Sequence, residues 1–526
     1  MSSFDPLDVS RTKVTANGNQ EGSQDLFAAY QVKLENDELH IPAFFIESTA
    51  PDNLDDKTKP LEEPPSCERL PSVQAAIDRI AGQLAQQEEP KLVFTVHGFN
   101  SPRTAVLQSF TRSFLSVNND TAIRKRGVVC VGYRWPSERM LRPFWSGYSA
   151  APFFLIGMVF VALGIAGLVN FEFNLYAIPF WWRILITAVI ALMAGIPITL
   201  FLLRLIVYFR DQYRALTYGV PDLVDIIRLI DAALETAFKD AGRAGTRADL
   251  SFIGHSMGGF VVTNTVRILS DVFSPFSPPP KTEAKGTSLQ EQAKDLDKRS
   301  EIGKAFRLRR LVLVSPDIPA EVLMSGRANA LRSSVERFEE AHLFSNEADE
   351  VLRNISTTAN FFMLPTKRRM FGYRLGNVGV LTPSYGITKG LTDPSGHVAL
   401  DKLQVGYKSL ADLYTRLGSD QFQAGTAQRF TYFDCTNSIS DAGIGVVSAA
   451  KRGKPTDLSS IGHLVLLARY VAGGPDVHSG YFADNFVGSL IYRFACIGYG
   501  DSEQAYNGFE VFSAACKDHQ IKALRN

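Results

Sequence analysis

Asp249-Leu-Ser-Phe-Ile-Gly254-His255-Ser256-Met257-Gly258-Gly259-Phe260-Val-Val262 joins an apolar, strand-like run to a helix-like run through the pattern G-x-S-x-G. Each part of that pattern has a chemical use. Small residues at Gly254 and Gly258 permit a sharp turn, on which Ser256 is held in a strained conformation with its hydroxyl projecting. The helix that follows begins near Met257, so its first N–H groups face any negative charge that develops there. Ser256 is therefore the expected nucleophile. A glycine-rich strand-to-helix turn with an idle serine is the plain alternative. His255 is expected to be structural or to line a pocket.

Outward from this turn, the chain alternates short apolar runs with amphipathic ones. Leu92–Val96, Gly127–Tyr133, Leu250–Gly254, Leu311–Val314, His342–Phe344 and Phe430–Phe433 read as strands; 71–88, Val220–Lys239 and Gly258–Leu269 read as helices. Unbroken apolar strands separated by helices mean a mostly parallel sheet covered on both faces, an α/β fold. Residues 26–48 hold two further β-like runs that suit an edge hairpin. Residues 274–305 are Pro-rich and poor in apolar side chains, and are expected to be a disordered excursion.

An acyl-transfer site needs two oxyanion donors. The Met257 amide is the expected first. The loop Val96-His97-Gly98-Phe99-Asn100, at the end of an earlier strand, offers Phe99 N–H as the second, with Gly98 letting the backbone approach. On this layout the order along the chain is nucleophile, acid, histidine. That order leaves His463, His478 and His519 as bases after the last strand and sets His97 aside as loop support. His478, in Gly474-Pro-Asp-Val-His-Ser-Gly480, is preferred over His463, which opens the helical run HLVLLARY. For the acid, Asp349 in Phe344-Ser-Asn-Glu-Ala-Asp349 follows a strand and precedes a helix; Asp317, Glu347 and Asp434 are the rivals. Any of these carboxylates also suits a helix N-cap or a solvated surface charge.

The blocks HGFN (97–100), WPS (135–137) and GHSMGG (254–259), in that order, resemble the α/β-hydrolase superfamily. More narrowly, they resemble a bacterial group of uncharacterised serine hydrolases with HGxN, WPS and HSMG motifs. The resemblance spans about 90–140 and 205–490. It supports His478, followed closely by Tyr481-Phe482, as the base, and Asp349 as the acid of a Ser-x-x-Asp block carrying one extra residue.

Two uncharged runs interrupt the pattern: 143–171, with 29 residues, and 184–203, with 20. At 1.5 Å per residue the shorter one spans about 30 Å, the hydrocarbon thickness of a bilayer. Tyr176, Phe180, Trp181 and Trp182 between them suit an interfacial belt, and Pro197 is expected to kink the second run. A pair of buried core helices is the alternative. Arg134, Arg139 and Arg142 before the hairpin, and Arg204, Arg210 and Arg214 after it, outweigh Arg183 in the loop. The flanks are therefore expected on the cytoplasmic side. The expected organisation is an N-terminal polar segment and edge hairpin (1–70), an α/β-hydrolase domain in two parts (71–142 and 205–526), and a transmembrane hairpin at 143–204.

Composition narrows the function. Length 526 calls for more than one ordinary core. Lys+Arg 55 against Asp+Glu 54 leaves no basic field for a nucleic-acid partner. Five Cys without a CxxC pair, and His residues without close ligand spacing, give no disulfide framework and no metal site; no cofactor is expected. The opening MSSFDPLDVSRTKV lacks the basic-then-apolar pattern of a cleavable signal peptide. The expected protein is a membrane-anchored serine hydrolase acting on lipid or other amphiphilic esters, with the bilayer as its partner. An anchored esterase or thioesterase for soluble substrates or acylated proteins, and a non-catalytic scaffold with a hydrolase fold, are the alternatives.

Overall fold

The structure is a computed structural model. It describes residues 26–33, 39–50, 66–124, 126–137, 179–270, 300–319, 330–363, 374–380, 429–439, 477–482 and 484–524, with short pieces at 164, 167, 322, 386–388, 404–405, 462–463 and 465–467.

The strands of the main sheet are β1 (Phe27–Val32), β2 (Ala43–Ser48), β3 (Cys67–Arg69), β4 (Lys91–Val96), β5 (Val128–Arg134), β6 (Ala248–His255), β7 (Glu301–Ile302), β8 (Phe306–Val314), β9 (Glu340–Ser345), β10 (Phe430–Asp434) and β11 (Lys522–Leu524); Gly379–Val380, Gly386–Thr388 and Gln404–Val405 form a separate small sheet. The main sheet has the order β11-β10-β9-β8-β6-β4-β5-β2-β1-β3, with β7 beside β8. From β10 to β2 every neighbouring pair is parallel. The antiparallel pairs sit at the margins: β1 with β2 and β3, β11 with β10, and β7 on β8. A mostly parallel sheet needs helices on both faces, because its crossovers lie there.

The apolar strands explain how both faces are filled. Side chains alternate across a strand, so Leu92, Phe94 and Val96 of β4 enter one core while Val93 enters the other. In β8, Leu311 and Leu313 are parted from Val312 and Val314 in the same way. One core is closed by α1 (Val73–Ala85), α4 (Val220–Asp240) and α5 (Met257–Leu269); the other by α2 (Arg103–Asn119) and α6 (Asn485–Cys496). Ser72 caps α1 by accepting the Ala75 amide, and Asp484 caps α6 through the amides of Phe486 and Val487.

One expectation meets a different outcome. The stretch 274–305 is not an excursion to its end: Glu301–Ile302 pairs antiparallel with β8, and Ala305 is buried. Asp231 of α4 holds this corner by accepting the amides of Lys304 and Ala305. Residues 271–299 lie outside the described residues. The membrane hairpin is described only in part. Its first run lies outside the described residues apart from positions 164 and 167. Its second run is part of α3 (Phe180–Arg214), a helix of 35 residues that runs unbroken through Pro197. Among the described residues no helix is long and apolar enough to cross a membrane. Nor does α3 end where the apolar run ends. It continues through Arg204, Arg210, Asp211 and Arg214, buries Val207 and Tyr208, and passes through a π-turn at Ala215–Gly219 directly into α4.

Asp222, in the first turn of α4, gives a stability test. Burial pushes its carboxyl up to about 6; the Ser48 hydroxyl opposes that rise and Asp225 adds to it. A raised carboxyl means the folded state holds the proton more tightly than the unfolded one. Stability therefore falls as pH rises from the ordinary Asp value to about 6, and stays lower above it. Asp222→Asn is expected to stabilise the protein by about 1 kcal/mol at pH 8, less than the full shift implies because a charge favoured by the helix N-terminus is lost. No gain is expected at pH 4. Thermal melting at the two pH values checks this, and an equal effect at both rules it out.

Candidate active site

The C-terminal ends of β4, β6 and β8 meet at Ser256. This residue sits between β6 and α5 at φ 54° and ψ −124°, a left-handed setting that a non-glycine residue enters at a cost. Backbone bonds fix it there. Its amide donates to Val314 O at 2.9 Å, and its carbonyl accepts the amides of Gly259 and Asp317, each at 3.0 Å. The glycines act by close approach. A Cβ at Gly254 would lie 2.6 Å from Gly259 Cα, and one at Gly258 would strike the carbonyls of Val96 and His97. Ser256 is fully buried, and its Oγ has no hydrogen-bond partner among the described residues.

The HGFN loop lies directly against this turn. A Cβ on Gly98 would be 2.7 Å from Ser256 Cβ and 3.2 Å from its Oγ. Among the described residues, neither the Phe99 nor the Met257 amide donates to a backbone carbonyl outside regular structure. His97 is fully engaged elsewhere. Its ring stacks on Trp135 at 5.0 Å and 8°, its Nδ1 lies 2.7 Å from Gly98 O, and Trp135 Nε1 donates to His97 O at 3.0 Å. Burial, with the Arg134 charge adding to it, drives the His97 imidazole down to about 3, so it is neutral at physiological pH. The WPS block and the HGFN loop are thus two halves of one fastening.

Asp349 and His478, 129 positions apart in the chain, come together with Oδ2 and Nδ1 separated by 2.5 Å. Asp349 is fully buried. Its Oδ2 also accepts the Ser315 hydroxyl at 2.6 Å, and its Oδ1 accepts the amides of Val351 and Leu352. Burial works to raise this carboxyl, but the His478 ring and its hydrogen bond, the Ser315 hydroxyl and the Leu352 amide together hold it below the ordinary Asp value. An ionised Asp349 draws the proton to His478 Nδ1, so in the neutral ring Nε2 is the nitrogen that keeps its lone pair. His478 O lies 3.0 Å from His255 Nε2, the two rings are 5.0 Å apart, and the Phe99 ring is 6.4 Å from that of His478. The imidazole therefore borders both the residue before Ser256 and the HGFN loop.

The rival residues are occupied. Asp317 forms a buried ion pair with Arg374 at 2.8 Å and accepts the Ser356 hydroxyl. Asp434 accepts the Thr436 amide at 3.0 Å, and the Glu347 amide donates to Thr436 Oγ1. His463 forms its own pair, with Nδ1 2.8 Å from Glu350 Oε1, and His519 stacks on Phe486. Sequence reasoning missed Ser315, held at φ 43° under Asp349, and Asp211, the buried acceptor of the Asn100 amide. Neither stands in a local pattern that marks it. No group of His, Cys, Asp and Glu suited to a metal ion occurs among the described residues.

A family model described as an alpha/beta hydrolase of unknown function (DUF900) matches residues 228–360. The matched stretch carries Ser256, Met257 and Asp349, and supports the α/β-hydrolase reading of the sheet. No curated protein and no solved structure matches the chain.

Proposed function

We propose that the chain is a membrane-anchored serine hydrolase that cleaves ester bonds, with Ser256 as nucleophile, His478 as base and Asp349 as the acid that orients it. The α/β core, whose sheet also takes in β1–β3, is built from 71–142 and 205–526 around an inserted hairpin at 143–204, and lies on the cytoplasmic side. One observation carries the chemistry: a buried serine hydroxyl without a partner among the described residues, on a left-handed strand-to-helix turn, and an imidazole that borders the preceding residue, His255, with its Nδ1 bound by a buried carboxylate.

The Ser256 proton passes to His478 Nε2 as Oγ attacks the ester carbonyl. The amides of Phe99 and Met257 receive the oxyanion. Nε2 then returns the proton to the leaving alkoxide as the C–O bond breaks. Water, deprotonated by the same nitrogen, attacks the acyl-serine; the carboxylic acid departs and Ser256 regains its proton. Asp349 stays ionised throughout and stabilises the imidazolium. Lipid or other amphiphilic esters are the proposed substrates. Support for this comes from the two uncharged runs and from Trp181 and Trp182, which are 77% and 58% exposed at the start of α3.

The test is labelling of the intact protein with a fluorophosphonate probe, followed by peptide mapping. One label per chain, on Ser256, is expected. An intact chain that takes no label, or takes it on another serine, overturns the proposal.

A further inference from the structure

The geometry points to Asp211, at the end of α3, as a positioning residue that holds the oxyanion loop in its receiving conformation, so that α3 and the catalytic turn are mechanically one unit. This rests on the serine-hydrolase reading and adds a residue that reading does not use.

Four consecutive loop residues are each held by a different partner. Gly98 lies against Ser256. The Phe99 ring meets the Tyr208 ring edge-on at 5.7 Å. The Asn100 amide donates to Asp211 Oδ2 at 2.8 Å. The Ser101 amide donates to Ser137 Oγ at 3.1 Å, and that hydroxyl donates to the same Asp211 Oδ2 at 2.8 Å. Tyr208 and Asp211 are three residues apart on α3 and so share a helix face. Asn100 stands at φ 54°, a conformation that needs outside support. Its neighbour Phe99 supplies the proposed donor. The peptide plane that carries the Phe99 amide is therefore fixed on one side by Gly98 against Ser256 and on the other by the carboxylate.

Asp211 is completely buried, with Arg210 Nε at 3.0 Å and Arg214 Nη1 at 3.8 Å from its Oδ1. A buried ion pair is a costly fastener, often matched or bettered by apolar packing. What apolar packing lacks is acceptors for the two polar groups that Asp211 Oδ2 binds in a turn beside the nucleophile. Tyr208 completes the link from the far side: its hydroxyl accepts from Arg374, which pairs with Asp317, whose amide donates to the Ser256 carbonyl.

The experiment uses the full chain and a soluble short-chain p-nitrophenyl ester, with active sites counted by complete fluorophosphonate labelling. Per labelled site, kcat is expected to fall about 10-fold in Asp211→Asn, which keeps one acceptor oxygen, and about 100-fold in Asp211→Ala, with KM within twofold of wild type. A residue that only fastens α3 to the core would lower the labelled fraction and the melting temperature and leave kcat per labelled site at the wild-type value; that result overturns the proposal. If Asp211→Ala does not fold, Ser137→Ala gives the same readout, with kcat per site falling several-fold if the proposal holds and unchanged if it does not. Wild-type protein that takes no label overturns the serine-hydrolase reading itself, a failure distinct from that of Asp211.

Discussion

Ser256→Ala is expected to lower kcat on a soluble ester about 10⁶-fold, His478→Ala by nearly as much, and the double variant by no more than either alone. The three values follow from one mechanism. Without the imidazole the serine keeps its proton and attacks no better than water. Without the serine the imidazole has nothing to activate. Ser256 has no structural duty to confuse the result, whereas His478→Ala also strips the buried Asp349 carboxylate of its imidazole, so its kcat is taken per folded molecule. Ser256 Oγ makes no hydrogen bond among the described residues, so its loss leaves no orphaned partner. Alanine at 256 must still adopt φ 54°, a strain serine already bears. What persists should be the rate supplied by substrate binding and the two amides. His463→Ala is the control. Its ring is bound to Glu350 rather than Asp349, and a loss of less than about 10-fold separates the two imidazoles. Stopped-time assays at equal concentrations of folded protein measure all four variants. A double variant markedly slower than both singles shows that the residues do not act as one unit.

The sheet was legible because its strands are buried on both faces. Leu92–Val96 and Leu250–Gly254 are apolar but for Thr95 and Ser251, and only a covered strand accepts such a run. Where one face is polar the signal faded. Phe306–Arg310 alternates buried Phe306, Leu308 and Arg310 with partly exposed arginines, and only the second half of β8 reads as strand from sequence. The edge strands β3 and β11 have three residues each, too few for any period. At the site, the turn around Ser256 was legible because its constraints lie within five residues. The acid was not decided by sequence. Asp349 and Asp317 both follow strand-like runs, and only the fold shows one meeting an imidazole and the other a guanidinium. Ser315 and Asp211 left no trace at all. Their partners lie 34 and 111 positions away, and a single serine or aspartate beside an apolar run is ordinary composition.

Asp349→Asn and Asp317→Asn are expected to fail in opposite ways, and the contrast assigns the acid. Asparagine at 349 can still accept the Val351 and Leu352 amides through its oxygen, so the local turn survives at a cost of about 1 kcal/mol. It cannot hold His478 with Nδ1 protonated and Nε2 bare, nor stabilise an imidazolium. A fall in kcat of about 10⁴, or about 5 kcal/mol of barrier, is expected. Asparagine at 317 leaves the Arg374 guanidinium buried and uncompensated, 3% exposed and, among the described residues, hydrogen-bonded otherwise to the Tyr208 hydroxyl and the Ser356 carbonyl. Removing one partner of such a pair costs about 3–5 kcal/mol of stability, while kcat per folded molecule stays within a few-fold of wild type. The two carboxylates also separate by pH. The Asp349 carboxyl sits below its ordinary value in the folded state, so its stabilising contribution is complete above the ordinary Asp range and is lost as pH falls through the folded value. The asparagine variant, having no such group, should show a flatter fall in melting temperature below pH 4 than wild type. Thermal melts and active-site-titrated kcat on the two variants decide the matter. A stable Asp317→Asn with the larger loss of kcat would transfer the acid's role to Asp317.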